Sequence, residues 1–219
     1  ALPLALPSTF AGAVLGRTLA GLQQAKSGRP LSVLGVALPF LLWGEGQALR
    51  AQEFEVVSAI EIDAPPERVW PNVIGFSALP PPEGWLFATG IAYPVRAEIA
   101  GAGVGAVRRC EFSTGAFVEP ITRWEPPARL SFDVREFPLP MEEWSFYAQV
   151  RPPHLEHSFR SVRGEFRLVA LEGGRTRLEG STWYRLELFP VGYWRLFADA
   201  IVHRIHLRVL EHVRTLSER

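Results

Sequence analysis

The sequence predicts an α+β fold, an antiparallel sheet wrapped around a long C-terminal helix. Three observations predict it. Segments alternating apolar and polar residues follow one another from residue 54 to residue 188, with turn residues between them. A single short helix start, at residue 66, interrupts them near the beginning. Residues 191–217 then repeat apolar side chains at steps of three and four, the spacing of one helix face. With 219 residues, 47% of them apolar, 14 Phe and 7 Trp, the chain can bury a sizeable core. Lys plus Arg and Asp plus Glu both number 23, and this balance argues against nucleic acid as a partner, because phosphate binding draws on positive excess. The single cysteine, Cys110, excludes an internal disulfide and a cysteine-cluster zinc site.

Taken in order, residues 1–50 form a piece of their own. Only Arg17, Lys26, Arg29 and Glu45 are charged among residues 1–49, whereas 42 charged side chains lie beyond. The runs 2–22 and 30–43 are apolar, with a polar, basic link between them. No basic segment precedes the first run, so a signal peptide fits poorly and a membrane-associated helical segment fits better. The second run is short of the roughly 20 residues a spanning helix needs, and two buried helices packed on the domain are the alternative. The only methionine is Met141, so residue 1 is no initiator, and a processed chain or the tail of a longer membrane protein is expected. Lys26 and Arg29 favour a cytoplasmic link, which places residues 51–219 on the extracytoplasmic side; a cytoplasmic domain is the alternative.

The domain from residue 51 opens on a strand, with Phe54, Val56, Ser58, Ile60 and Ile62 on one face and Glu55, Glu61 and Asp63 on the other. Pro66-Glu67 then suits a helix N-terminus, where proline loses no needed N–H and a carboxylate meets the positive helix end. Residues 77–94 carry many prolines and no period, and form a long loop or irregular helix. Strands follow at 95–99, 106–113, 116–124, 129–136, 161–171 and 175–188, the last two turning at Gly173-Gly174. The run Gly101-Ala102-Gly103-Val104-Gly105 lacks the helix that a phosphate loop requires, because a strand-like segment follows it; it reads as a hairpin turn. The closing helix carries Trp194, Phe197, Ile201, Ile205, Val209, Val213 and Leu216 on one arc.

This layout resembles the START-like helix-grip superfamily, which includes polyketide cyclase/dehydratase-like and lipid-transfer proteins. The resemblance is carried by Ile60-Glu-Ile-Asp-Ala-Pro-Pro-Glu-Arg-Val-Trp70, by the glycine turn 101–105 leading to Arg108, by Trp124 through Phe132, and by Gly174-Arg-Thr-Arg-Leu178. It spans about residues 54–217, while the apolar N-terminal segment and the stretch 137–160 depart from the minimal pattern. It implies a cavity enclosed between sheet and helix, and leaves open whether the chain binds, transfers or converts what the cavity holds.

Candidate ligand-binding residues follow from placing polar side chains on inward faces. Asp199, His203 and His206 fall within roughly 60° on the last helix, at the edge of its apolar arc. Such a trio suits contact with a polar ligand group, proton transfer or structural pairing, and a divalent metal less well. His212 sits near the apolar centre of the helix as a packing residue. Glu119 alternates with Phe117 and Ile121, so it points inward, either as a desolvated acid or ligand anchor or paired with Arg108 or Arg109. Tyr184 shares a face with Leu178, Thr182 and Leu186, within reach of a cavity or bonded to the backbone. Cys110 lacks any nucleophile context and reads as a small buried residue. The aromatic stretches 77–94 and 137–160, Trp144 among them, are lids or sheet-edge covers.

The candidates are therefore Glu119, Tyr184, Asp199, His203, His206, Arg109 and Trp144, with no cofactor and no metal expected. The expected function is binding or transport of a hydrophobic small molecule or lipid by a membrane-tethered domain. The alternative is a polyketide cyclase/dehydratase-like enzyme moving protons through cavity Glu, His and Tyr residues.

Overall fold

The fold is that of a computed structural model, which describes residues 52–143 and 158–219 and scattered positions between 10 and 44. The apolar runs 2–22 and 30–43 lie largely outside the described residues, and Trp144 lies wholly outside them. Among the described residues no helix is long and apolar enough to cross a membrane.

Strand β1 (Glu53–Ile62) buries Phe54, Val56, Ser58 and Ile62, the face its alternation predicts. Helix α1 (Pro66–Ile74) begins directly after Pro65, with Glu67 in its first turn and Val69, Trp70 and Val73 buried. The irregular stretch that follows contains only the one-turn helix α2 (Trp85–Ala88). Then come β2 (Pro94–Ala100), β3 (Val107–Phe112), β4 (Gly115–Glu125), β5 (Arg129–Asp133), β6 (Phe159–Leu171), β7 (Arg175–Leu186) and the 27-residue helix α3 (Val191–Ser217). The seven strands form one antiparallel sheet in the order β1-β7-β6-β5-β4-β3-β2. The glycine run is the β2–β3 turn, with Gly101, Gly103 and Gly105 at φ of +88°, +84° and +89°, a region that side-chain-bearing residues enter at a cost.

The sheet curls. Register shifts fall between Ile121 and Arg123 on β4 and between Ser161 and Arg163 on β6, and such bulges add twist and bend. Helix α3 does not cover the curled sheet evenly. It packs chiefly along β1, with further contacts to α1 and β7, and reaches β2 at the far end of the strand order, where Arg208 Nε donates to the Pro94 carbonyl at 3.3 Å. Two packed clusters hold it there. Phe54, Val56, Tyr184 and Leu186 meet Val191, Ala198 and Val202 of its N-terminal half, while Ile62, Val69, Val73, Leu130 and Leu178 meet Val209, Leu210 and Val213 nearer its end. Asn72 Nδ2 donates to Ser217 Oγ at 2.9 Å, and Thr176 Oγ1 donates to the Ala64 carbonyl at 2.6 Å, fixing the helix end and the β1–α1 corner. The inner face of β3–β6 is left facing a space.

Candidate functional site

That space is a cavity of about 490 Å³. From α3 it takes the apolar arc read in the sequence, Trp194, Phe197, Ile201, Ile205 and Val209, and from the sheet Phe112, Phe117, Phe132 and Phe166. Its third wall comes from the two irregular stretches. Ile91 pairs with Met141, Ala92 N donates to the Pro140 carbonyl at 3.0 Å, and Glu142 N donates to the Gly90 carbonyl at 2.8 Å. The described ends of the two aromatic stretches thus bind each other, and Ile91, Ala92, Pro140 and Met141 all line the cavity. Gly164 permits one further close approach. A Cβ there would lie 2.5 Å from the tip of the Phe132 ring, so glycine leaves room for that ring over β6.

Charge enters this apolar space at one buried pair. Arg108 of β3 faces Glu119 of β4 across the ladder, and the two form an ion pair while only 2% and 5% exposed. Arg108 Nε also donates to the Ile74 carbonyl at 3.1 Å, and its guanidinium lies 5.4–5.6 Å from the ring centres of Phe76, Phe132 and Phe166. Burial pushes the Glu119 carboxyl above the usual range, against the pull of Arg108. Burial works to lower Arg108, but Glu119 outweighs it and the guanidinium stays cationic. Beside the pair, Cys110 is held at about 12 by burial and by the Glu119 charge, so it remains a thiol.

The helix trio is not one site but two. Asp199 Oδ1 accepts from the Tyr184 hydroxyl at 2.6 Å, and Asp199 Oδ2 accepts from Arg195 Nε at 3.2 Å. Burial and the neighbouring Asp199 push the tyrosine hydroxyl upward. One turn on, His203 Nδ1 and His206 Nδ1 share the hydroxyl of Ser58, at 2.7 and 3.0 Å, and His206 Nε2 lies 2.8 Å from Thr182 Oγ1. Burial, then the neighbouring His203, lowers His206 to about 4, so it is neutral. Among the described residues no three His, Cys, Asp or Glu side chains gather to hold a metal.

Of the sequence candidates, Glu119 and His206 line the cavity. His203 is exposed on the opposite side of its hydrogen bond to Ser58, and Asp199 is engaged with Tyr184 and Arg195 outside the lining. Tyr184 is fully buried in the cluster beneath the helix, and its hydroxyl reaches a carboxylate, neither the cavity nor the backbone. Arg109 requires a correction. Strand parity on β3 sends Arg108 and Cys110 inward and turns Arg109 to solvent, so Arg108 is the cavity arginine. His212 packs edge-on against Phe76 and meets the Ser77 carbonyl at 3.2 Å. Thr182 and Arg108, which the sequence offered only as a face neighbour of Tyr184 and an alternative partner of Glu119, line the cavity, and Ser58, not among the sequence candidates, lies behind the wall against His206. The available signal was a hydroxyl on an otherwise apolar strand face at Ser58 and Thr182, and the inward parity of Cys110 beside Arg108.

A family model described as polyketide cyclase / dehydrase and lipid transport matches residues 53–218. Among solved structures, the Zhui aromatase/cyclase from a Streptomyces species superposes with a TM-score of 0.50 at 16% identity, covering 77% of this chain and 95% of that one. A norcoclaurine synthase from Thalictrum flavum gives 0.46 at 12% identity, covering 75% and 93%. A protein from Nitrosospira multiformis gives 0.45 at 18% identity, covering 74% and 94%. At 16% identity the likeness to the aromatase/cyclase concerns the fold alone. No curated protein matches the chain in sequence.

Proposed function

Because the chain belongs to the polyketide cyclase / dehydrase and lipid transport family over residues 53–218, we propose that its cavity binds or carries a hydrophobic small molecule or lipid. One observation carries the reading: a space of about 490 Å³ walled mostly by aromatic and aliphatic side chains, in which Arg108 and Glu119 are paired with each other and Glu165 is held by Ser131 and Arg129. Such a wall favours a largely apolar guest with few polar atoms. Burial of the guest's apolar surface supplies the affinity, at about 25 cal/mol per Å² before the costs of association. The Arg108–Glu119 pair gives that guest one polar end to meet. A tether to a membrane through residues 1–50, with the domain on the extracytoplasmic side, belongs to the same proposal and draws its support from the nearly uncharged runs 2–22 and 30–43.

An enzymatic reading, proton transfer of cyclase/dehydratase type, draws on Glu119 and His206 lining one cavity. It is the weaker of the two because Glu119 is tied to Arg108 and both His206 ring nitrogens are already hydrogen-bonded. Native mass spectrometry of gently purified chain, recovered from separated membrane and soluble fractions, tests the binding reading. The expected result is a co-purified apolar mass, absent from an Ile201→Trp variant that fills the cavity, with the protein recovered from the membrane fraction. A bare chain mass, together with no fluorescence gain of the neutral dye Nile red over that variant, would overturn it.

A further inference from the structure

Ser58 is 3% exposed and sits on the face of β1 that α3 covers. Its one hydroxyl is shared between two imidazoles, His203 Nδ1 at 2.7 Å and His206 Nδ1 at 3.0 Å. His206 continues through Nε2 to Thr182 Oγ1 at 2.8 Å, and Thr182 and His206 line the cavity while His203 is exposed. An unbroken chain of hydrogen bonds therefore runs from solvent to the cavity wall. A serine hydroxyl has one proton, and a neutral imidazole has one donor and one acceptor nitrogen. The chain can then be satisfied in only two senses.

In the first, Ser58 donates to His203 Nδ1 and accepts from His206 Nδ1–H, which leaves His206 Nε2 to accept from the Thr182 hydroxyl. Thr182 then shows the cavity only lone pairs. In the second, His203 Nδ1–H donates to Ser58, Ser58 donates to His206 Nδ1, and His206 Nε2–H donates to Thr182. The Thr182 proton is then turned to the cavity. While His203 is neutral the first sense is favoured, because every proton in it has a partner, whereas the second aims a hydroxyl proton at a mostly apolar space. A doubly protonated His203 carries a proton on Nδ1, cannot accept there, and so enforces the second sense. We propose that His203, Ser58, His206 and Thr182 form a tautomeric relay in which protonation of His203 converts Thr182 from an acceptor to a donor toward the cavity.

The surroundings leave this chain to act alone. The inner face of β1 presents Ser58 and no charged group. That of β7 presents Thr182 and Tyr184, whose hydroxyl is bound to Asp199. On α3 itself Asp199 is also paired with Arg195, and on the sheet wall of the cavity Arg108 and Glu119 pair with each other, while Glu165 accepts from Ser131 at 2.7 Å. The burial that holds His206 neutral down to about 4 keeps a single proton on it to be placed on one nitrogen or the other. The consequence for a guest rests on the binding reading. Acidic conditions favour a carbonyl or ether oxygen at Thr182, and neutral conditions a hydroxyl or N–H. The relay itself needs no guest.

Histidine-selective ¹⁵N labelling of the full chain tests it, because the ¹⁵N shifts of Nδ1 and Nε2 report the tautomer directly. Spectra are taken from about pH 8 to about pH 5, the range in which histidines exchange their proton. The expected result is that the His206 proton moves from Nδ1 to Nε2 along the same curve as His203 becomes charged. In Ser58→Ala the His206 tautomer no longer follows the protonation of His203. In His203→Ala, which removes the solvent end of the chain and its bond to Ser58, His206 keeps one tautomer throughout. A wild-type His206 tautomer that ignores the charging of His203, or one that shifts equally in His203→Ala, would overturn the relay. Neither outcome depends on whether the cavity holds a guest.

Discussion

Two of the polar sites along the apolar cavity wall meet the same constraint in opposite ways. The Arg108–Glu119 pair is charged, almost wholly buried and anchored by a backbone carbonyl and three rings. The His203–Ser58–His206–Thr182 chain is built of hydroxyls and imidazoles and opens to solvent at one end. A buried charge is stable only while its partner stays put, so the first site admits one arrangement. A chain whose members each donate and accept has two arrangements of nearly equal hydrogen bonding, so the second can respond to a proton. The contrast teaches that, in this cavity, a buried ion pair fixes geometry while chained hydrogen bonds carry adaptability.

The largest expected effect comes from breaking the fixed site. Glu119→Leu leaves Arg108 buried without its counter-charge and should cost about 3–5 kcal/mol in urea unfolding. Adding Arg108→Met should recover most of that loss, since an apolar pair suits the wall. A double variant no more stable than the single one would mean that the arginine gains more from Phe76, Phe132 and Phe166 than from Glu119. The responsive site should break with acid. His206 is lowered from the ordinary 6.5 to about 4, so folding favours its neutral form. Its contribution is complete above pH 6.5 and is drawn off as pH falls toward about 4, with a total on the order of 3 kcal/mol. The stability difference between wild type and His206→Gln should therefore shrink by that order between about pH 7.5 and about pH 4; a constant difference would place the imidazole in a wetter setting. The smallest effect sharpens the comparison. Gly164→Ala sets a methyl group 2.5 Å from the Phe132 ring and should cost about 1–3 kcal/mol by moving it. Because that ring also lies over Arg108, the variant should disturb cavity binding near the ion pair and leave the His206 ¹⁵N shifts in place.

Much of the fold was legible in residue order. The two-residue period of Phe54–Ile62 marks β1, Pro65-Pro66-Glu67 marks the entry to α1, the glycine run marks a hairpin, and the three- and four-residue steps from Trp194 mark both α3 and its cavity face. The inward direction of Glu119 and its pairing with an arginine on β3 were legible too. The choice between Arg108 and Arg109 needed strand parity, which Cys110 offered but which adjacent arginines obscure. The helix trio was misleading as a unit. Asp199, His203 and His206 share one edge of α3, yet Asp199 meets Tyr184 of β7, while the histidines meet Ser58 of β1.

The sequence by itself determined the local elements, because strand and helix periods are set by backbone geometry within a few residues. It also determined that residues 53–218 carry the family's pattern. Only the tertiary structure decided where α3 lies across the sheet, and hence that β3–β6 face a cavity while β1 faces Ser58's two imidazoles. Ser58 stands 145 and 148 residues from its histidines in the chain, and Thr182 stands 24 from His206. Such contacts have no periodic signature in sequence, since they arise from packing between elements whose own patterns do not record which partner they will meet.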